Sequence, residues 1–132
     1  METELKRGLE DVVAAKTELC FIEGEKGILE YRGYSINDLA KNPNFEEVIY
    51  LLWYGKLPNK KQLSDFSKKL RMHRKIDSDV IKIIKKCYKN IDAMDALRTA
   101  VSYLAQCDPD LNDNSTEANI RKGIKLAAKF PT

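Results

Sequence analysis

The sequence predicts a mainly α protein with a small β-hairpin near its amino end, and three observations carry that prediction. Apolar residues recur at helical spacing through most of the chain beyond residue 36. Ser, Asn and Asp stand repeatedly just ahead of these stripes with an acid or amide three positions later, the pattern with which helices begin. A different, strand-like composition punctuated by glycines occupies 19–34. One domain over 1–132 is expected, with the hairpin at about 19–34 and about six helices across about 36–130.

Leu19-Cys20-Phe21-Ile22 and Ile28-Leu29-Glu30-Tyr31 read as antiparallel strands, because Gly24 and Gly27 between them permit the positive φ that a tight reversal needs. Gly33 ends the second strand. Ser35 with Asp38 predicts an N-cap and an acidic first turn for a short helix through Leu39, and Asn44 with Glu47 repeats the logic. The helix that follows sets Val48, Leu51 and Leu52 on one face, widened by Ile49 and Trp53, and closes at Gly55 and Pro58. Asn59 with Gln62 predicts a third helix, Leu63, Phe66 and Leu70 inside and Lys60, Lys61, Lys68 and Lys69 in water. After a break at Lys75-Ile76-Asp77 comes a fourth, with Val80, Ile83, Ile84, Cys87 and Tyr88 on its apolar side.

The segment 94–105 differs in kind. Only Asp95, Arg98, Thr99 and Ser102 are polar there, so the helix should be covered from two directions or lie in an interface. A polar turn over 107–114 leads to a last helix, started by Asn114 with Glu117 and carrying Ile120, Ile124, Ala127 and Ala128. Two apolar helices with few later elements to cover them imply that the chain is part of something longer.

The chain's 132 residues suit one core, which at this size buries about two thirds of the unfolded surface. No run approaches the roughly 18 apolar residues that cross a bilayer. Met1-Glu2-Thr3-Glu4 carries acids and no apolar stretch, so neither a secretory signal nor a basic transit peptide is read and a cytoplasmic address is expected. The net charge of +3 is spread along helix faces, which argues against dedicated nucleic-acid binding. Cys20, Cys87 and Cys107 are odd in number and lack CxxC spacing, so no disulfide framework and no metal site is expected. His73 lies in the cationic run Arg71-Met72-His73-Arg74-Lys75 without an acidic neighbour and reads as an exposed structural histidine.

Over 27–58 the chain carries GxLxYRGYxIxxLA followed by FEEVxYLLxYGxLP. Together with GLEDVVAAKT from Gly8 and MDALRTAVSYL from Met94, these blocks resemble, in order, the amino-terminal third of citrate synthases of the bacterial and archaeal type. The resemblance implies that the hairpin and helices belong to the large helical domain of that family. It also implies the parent activity: acyl transfer from acetyl-CoA to oxaloacetate, giving citrate and CoA at the entry of the citric acid cycle, with no covalently bound cofactor. Enzymes of this kind use two histidines and an aspartate, which generate and stabilise an enolate and polarise the oxaloacetate carbonyl. Those residues lie later in the family chain, so no catalytic residue is expected here. The family's frequent His-Pro pair before the Met-Asp helix is replaced by Asp92-Ala93, where Asp92 serves as an N-cap.

The resemblance further implies a role for Arg7 at the phosphates of coenzyme A, because an arginine near the start plays that part in some members. Arg32, in Tyr-Arg-Gly-Tyr, reads instead as a structural arginine bonding backbone carbonyls near the hairpin. Citrate synthases are dimers joined by antiparallel helices, and the corresponding homodimer interface here would be Met94, Leu97, Val101, Leu104, Ile120, Ile124 and Ala127. Two alternatives remain open: a 2-methylcitrate synthase fragment, using propionyl-CoA, and a non-catalytic helical interaction module.

Overall fold

A computed structural model describes residue 8, residue 13 and residues 15–87 and 91–132. The chain divides into two compact units, Met1–Leu57 and Pro58–Thr132. Six α-helices and three short strands lie among the described residues, so the mainly α expectation holds.

In the first unit, β1 (Cys20–Glu23) pairs antiparallel with β2 (Ile28–Tyr31), Cys20 opposite Tyr31 and Glu23 opposite Ile28. A single 3₁₀ turn, Gly24–Lys26, makes the reversal, and the Gly27 N–H closes it on the Gly24 carbonyl at 3.2 Å. Gly27 has φ 63° whereas Gly24 is not in the left-handed region, so only one of the two glycines supplies the expected conformation. The sequence reading took Gly33 as a strand end, but the chain pairs again: β3 (Tyr34–Ser35) joins β2, Tyr34 opposite Tyr31. The connecting residues, Arg32 at φ 51° and Gly33 at φ 81°, are both left-handed, as a two-residue hairpin between twisted strands requires.

Helix α1 (Ile36–Lys41) starts at Ser35, whose hydroxyl accepts from the Asn37 N–H at 3.3 Å, and it packs on β2 and β3. Helix α2 (Phe45–Tyr54) has a reciprocal cap: Asn44 Oδ1 accepts from the Glu47 N–H at 3.0 Å, and Glu47 Oε2 from the Asn44 N–H at 2.7 Å. Gly55, at φ 78°, ends it. Leu51 on its inner face is 0% exposed and, with Leu39, forms the buried centre of this unit. Arg32 bonds a carbonyl as expected, though on α2 rather than in the hairpin: Nη2 donates to the Leu52 oxygen at 3.1 Å.

The second unit holds α3 (Lys60–Met72), α4 (Ser78–Cys87), α5 (Ala93–Leu104) and α6 (Thr116–Lys129). Asn59 and Gln62 cap α3 reciprocally at 2.9 Å each way. Asp77 accepts from the Asp79 N–H at 2.8 Å at the start of α4, and Asp92 from the Met94 N–H at 2.8 Å at the start of α5. The cap of α6 falls one residue later than expected: Ser115, not Asn114, accepts from the Ala118 N–H, because Asp113 already holds the Ser115 N–H and sets its direction. Helix α3 packs against α6 and α4 against α5. Phe66, Leu70, Val80, Ala100, Ala118, Ile124 and Ala128 are buried, the alanines letting neighbouring helices approach closely. Tyr88, expected on the apolar side of α4, lies outside the described residues. No helix among the described residues is long and apolar enough to cross a membrane.

Candidate functional site

Polar chemistry concentrates where α5 returns to α6. After α5 a 3₁₀ turn, Ala105–Cys107, leads into a stretch of aspartates that bond their own backbone: Asp108 Oδ1 accepts from the Asp110 N–H at 2.9 Å. Helix α6 sends Arg121 and Lys125, at i and i+4, to the same place. Arg121 donates from Nε and Nη2 to the two oxygens of Asp110 at 2.9 and 2.8 Å, a bidentate pair. Lys125 Nζ donates to Asp108 at 2.6 Å and to Asp110 at 3.2 Å.

The electrostatics follow. Hydrogen bonds from Arg121 and then Lys125 hold the Asp110 carboxyl well below the usual carboxylate range. For Asp108, partial burial pushes upward, and the bonds from Lys125 and the Asp110 N–H outweigh it. Lys125 is raised, chiefly by its bond to Asp108. Each carboxylate is therefore ionised and engaged, which suits a clamp on the turn and does not suit a general base. The turn reading of Asp108 and Asp110 stands, with cations from α6 added to it.

Beside this clamp lies a cavity of about 390 Å³. Val101 and Leu104 of α5, Leu111 of the turn and Leu126 of α6 form apolar walls; Lys122 and Lys129 also line it. His73 reaches the cavity from the carboxy-terminal cap of α3, where its N–H donates to the Leu70 carbonyl at 3.1 Å. It is exposed, as expected. A second, open recess of about 380 Å³ runs between α4 and α5, lined by aliphatic residues including Ile84, Ile91, Ala96 and Leu97.

The expected interface residues are distributed unevenly. Met94 is 69% exposed, while Leu97, Val101, Leu104, Ile120 and Ala127 are half-buried. Ile124, at 6%, belongs to the core of its own unit. Arg7 lies outside the described residues. The three cysteines are free, Cys107 exposed and the others half-buried. Sequence reasoning did not single out Lys122 or Lys129; their spacing on α6 was the available signal.

Comparison with known proteins agrees with this architecture. The family profile described as "Citrate synthase, C-terminal domain" matches residues 8–132. A citrate synthase of Haloferax volcanii is 42% identical over 136 residues, covering 100% of this chain and 36% of that protein. 2-Methylcitrate synthase 2 of Corynebacterium glutamicum is 38% identical, covering 98% of this chain and 34% of that protein. Among solved structures, the citrate synthase of Thermoplasma acidophilum, determined as a ternary complex with carboxymethyl-coenzyme A and oxaloacetate, superposes with a TM-score of 0.85 at 31% identity, over 96% of this chain and 33% of that one. The chain thus spans about a third of the length of the relatives it matches. With the family profile covering nearly all of it and the fold in agreement, the chain belongs to the citrate synthase family.

Proposed function

We propose that this chain is the amino-terminal part of a citrate synthase whose whole protein condenses acetyl-CoA with oxaloacetate to citrate and CoA in the citric acid cycle. The observation that carries the reading is the match, over almost the entire chain, to a citrate synthase solved with a coenzyme A analogue and oxaloacetate. The clamp and the cavity contain no histidine–carboxylate pair in hydrogen-bond contact among the described residues, and the groups that make the enolate are expected elsewhere in the parent. The chain alone is accordingly expected to be inactive. Arg7 would supply charge to the coenzyme A phosphates, no covalent cofactor would be needed, and the parent would act in the cytoplasm as a homodimer.

Self-association of the chain is expected through Met94, Leu97, Val101 and Leu104 on α5 and Ile120 and Ala127 on α6, an apolar surface that suits a two-fold contact between copies. A second reading, 2-methylcitrate synthase, is favoured by the 38% identity to the Corynebacterium enzyme. Thiol release from acetyl-CoA and from propionyl-CoA, each with oxaloacetate, tests both readings when the full-length parent is compared with the 132-residue chain. The expected result is turnover by the parent, faster with acetyl-CoA, and none by the chain. A parent inactive with both thioesters overturns the enzyme reading, and turnover by the chain freed of host enzyme overturns the placement of the catalytic groups.

A further inference from the structure

The lysines that line the cavity are not equivalent. Lys125 is neutralised by Asp108 and Asp110. Lys122 instead donates to the Asp113 carbonyl at 2.7 Å and Lys129 to the Lys75 carbonyl, and neither has a carboxylate partner among the described residues. A carbonyl dipole orients an ammonium without cancelling its charge, and each ammonium keeps donors to spare. At i and i+7 the two stand about 10 Å apart along α6. Of the acids that line the cavity, Asp108 is neutralised by Lys125, whereas Asp77 accepts from the Asp79 N–H at the start of α4 and has no cation partner among the described residues; the three lysines of the lining still outnumber its two aspartates. Between the two free charges the wall is apolar, built by Val101, Leu104, Leu111 and Leu126. A volume of about 390 Å³ falls within the roughly 300–1,000 Å³ of small-molecule sites, which combine mostly apolar walls with a few placed polar groups.

We propose that this cavity binds a small organic anion, with a phosphate or carboxylate group drawn by the combined charge of Lys122 and Lys129 and an apolar or flat body against the α5–α6 wall. The oriented, uncompensated ammoniums select charge, and the wall rejects an anion with no body to bury.

The test is calorimetric titration of the 132-residue chain with ATP and with laurate, two sources of such an anion, and with inorganic pyrophosphate as an anion lacking a body. ATP or laurate should bind with Kd of about 100 μM or tighter, pyrophosphate at least tenfold more weakly, and added salt should weaken the binding. Lys122→Met with Lys129→Met keeps the aliphatic stems, and it should weaken the organic anion at least tenfold while the melting curve stays near that of the parent. Should that pair unfold the chain, Lys122→Met alone, midway along α6, should weaken binding at least threefold. Val101 and Leu104 also belong to the proposed contact between copies, so light scattering accompanies the titration. Binding lost in a lysine variant with self-association unchanged locates the ligand in the cavity. The proposal fails if both organic anions bind more weakly than about 1 mM, if pyrophosphate binds as well as they do, or if folded lysine variants bind like the parent.

Discussion

Arg32 donates from Nη2 to the main-chain carbonyl of Leu52 at 3.1 Å, across 20 positions of sequence, from a backbone held at φ 51°. Leu52 lies in the last turn of α2, where carbonyls have no helical donor. The left-handed conformation disfavours a residue with a Cβ by about 1–2 kcal/mol. The guanidinium offsets this by satisfying a part-buried acceptor and tying the β2–β3 turn to α2. Its second contact, to Glu18 at 3.4 Å with that carboxylate mostly in water, adds little.

Arg32→Ala should therefore destabilise the chain by about 1–2 kcal/mol, since it leaves the Leu52 carbonyl without its donor and keeps the strained backbone. Arg32→Gly loses the same bond but relieves the left-handed backbone, so it should fall between Ala and the parent. Urea denaturation ranks the three, and a glycine variant less stable than the alanine variant would contradict the strain argument.

The two hairpin glycines should separate under the same substitution. Gly27→Val forces a β-branched residue to φ 63° and should lower stability by about 1–3 kcal/mol. Gly24 is not left-handed and an added Cβ there meets open space, so Gly24→Val should have a clearly smaller effect. Equal melting temperatures for the two variants would show that Gly27 is not the reversal point.

The clamp on the α5–α6 turn should make stability fall on acidification. Bonds from Arg121 and Lys125 lower the folded values of Asp110 and, against partial burial, of Asp108. Depressed carboxylates contribute stability that is complete above the unfolded aspartate value of about 4 and is lost as pH falls below it toward the folded values. Asp108→Asn with Asp110→Asn should melt a few degrees below the parent at pH 7 and by a smaller margin near pH 3, the gap closing only at still lower pH because Asp110 is held so far down. A gap that stays constant between the two pH values would exclude the clamp as its source.

Two apolar residues of the expected interface should behave oppositely. Met94 is 69% exposed, so Met94→Asp should shift the self-associating chain toward monomer in light scattering at about 100 μM while leaving its melting temperature near the parent value. Ile124 is 6% exposed within its own unit, and Ile124→Asp places an unpaired carboxylate there. That variant should lose at least about 3 kcal/mol and report on folding, not on association. A parent that remains monomeric at this concentration would remove the interface.

Helix starts were legible because they are local. Ser35, Asn44, Asn59 and Asp92 cap their own helices through bonds spanning two or three residues, and the sequence contains both partners side by side. The inner faces of α2 and α3 were legible for the same reason: Leu51, Phe66 and Leu70 announce themselves by helical period, and all three are buried. The family, too, was readable from contiguous blocks. Where local signals competed, position was decided by neighbours, as at the α6 cap, where Asp113 holding the Ser115 N–H moved the start past Asn114. Short strand β3 escaped notice because Tyr34-Ser35 has no periodicity of its own and exists only by pairing with β2 across the Arg32-Gly33 turn. The candidate site is a matter of tertiary structure throughout. Lys125 and Asp108 are 17 positions apart, and Lys129 and Lys75 are 54 apart. Each of these residues alone reads as a solvated charge; only the return of α6 alongside α5, and its packing on α3, decides which lysines are neutralised and which keep their charge at the cavity.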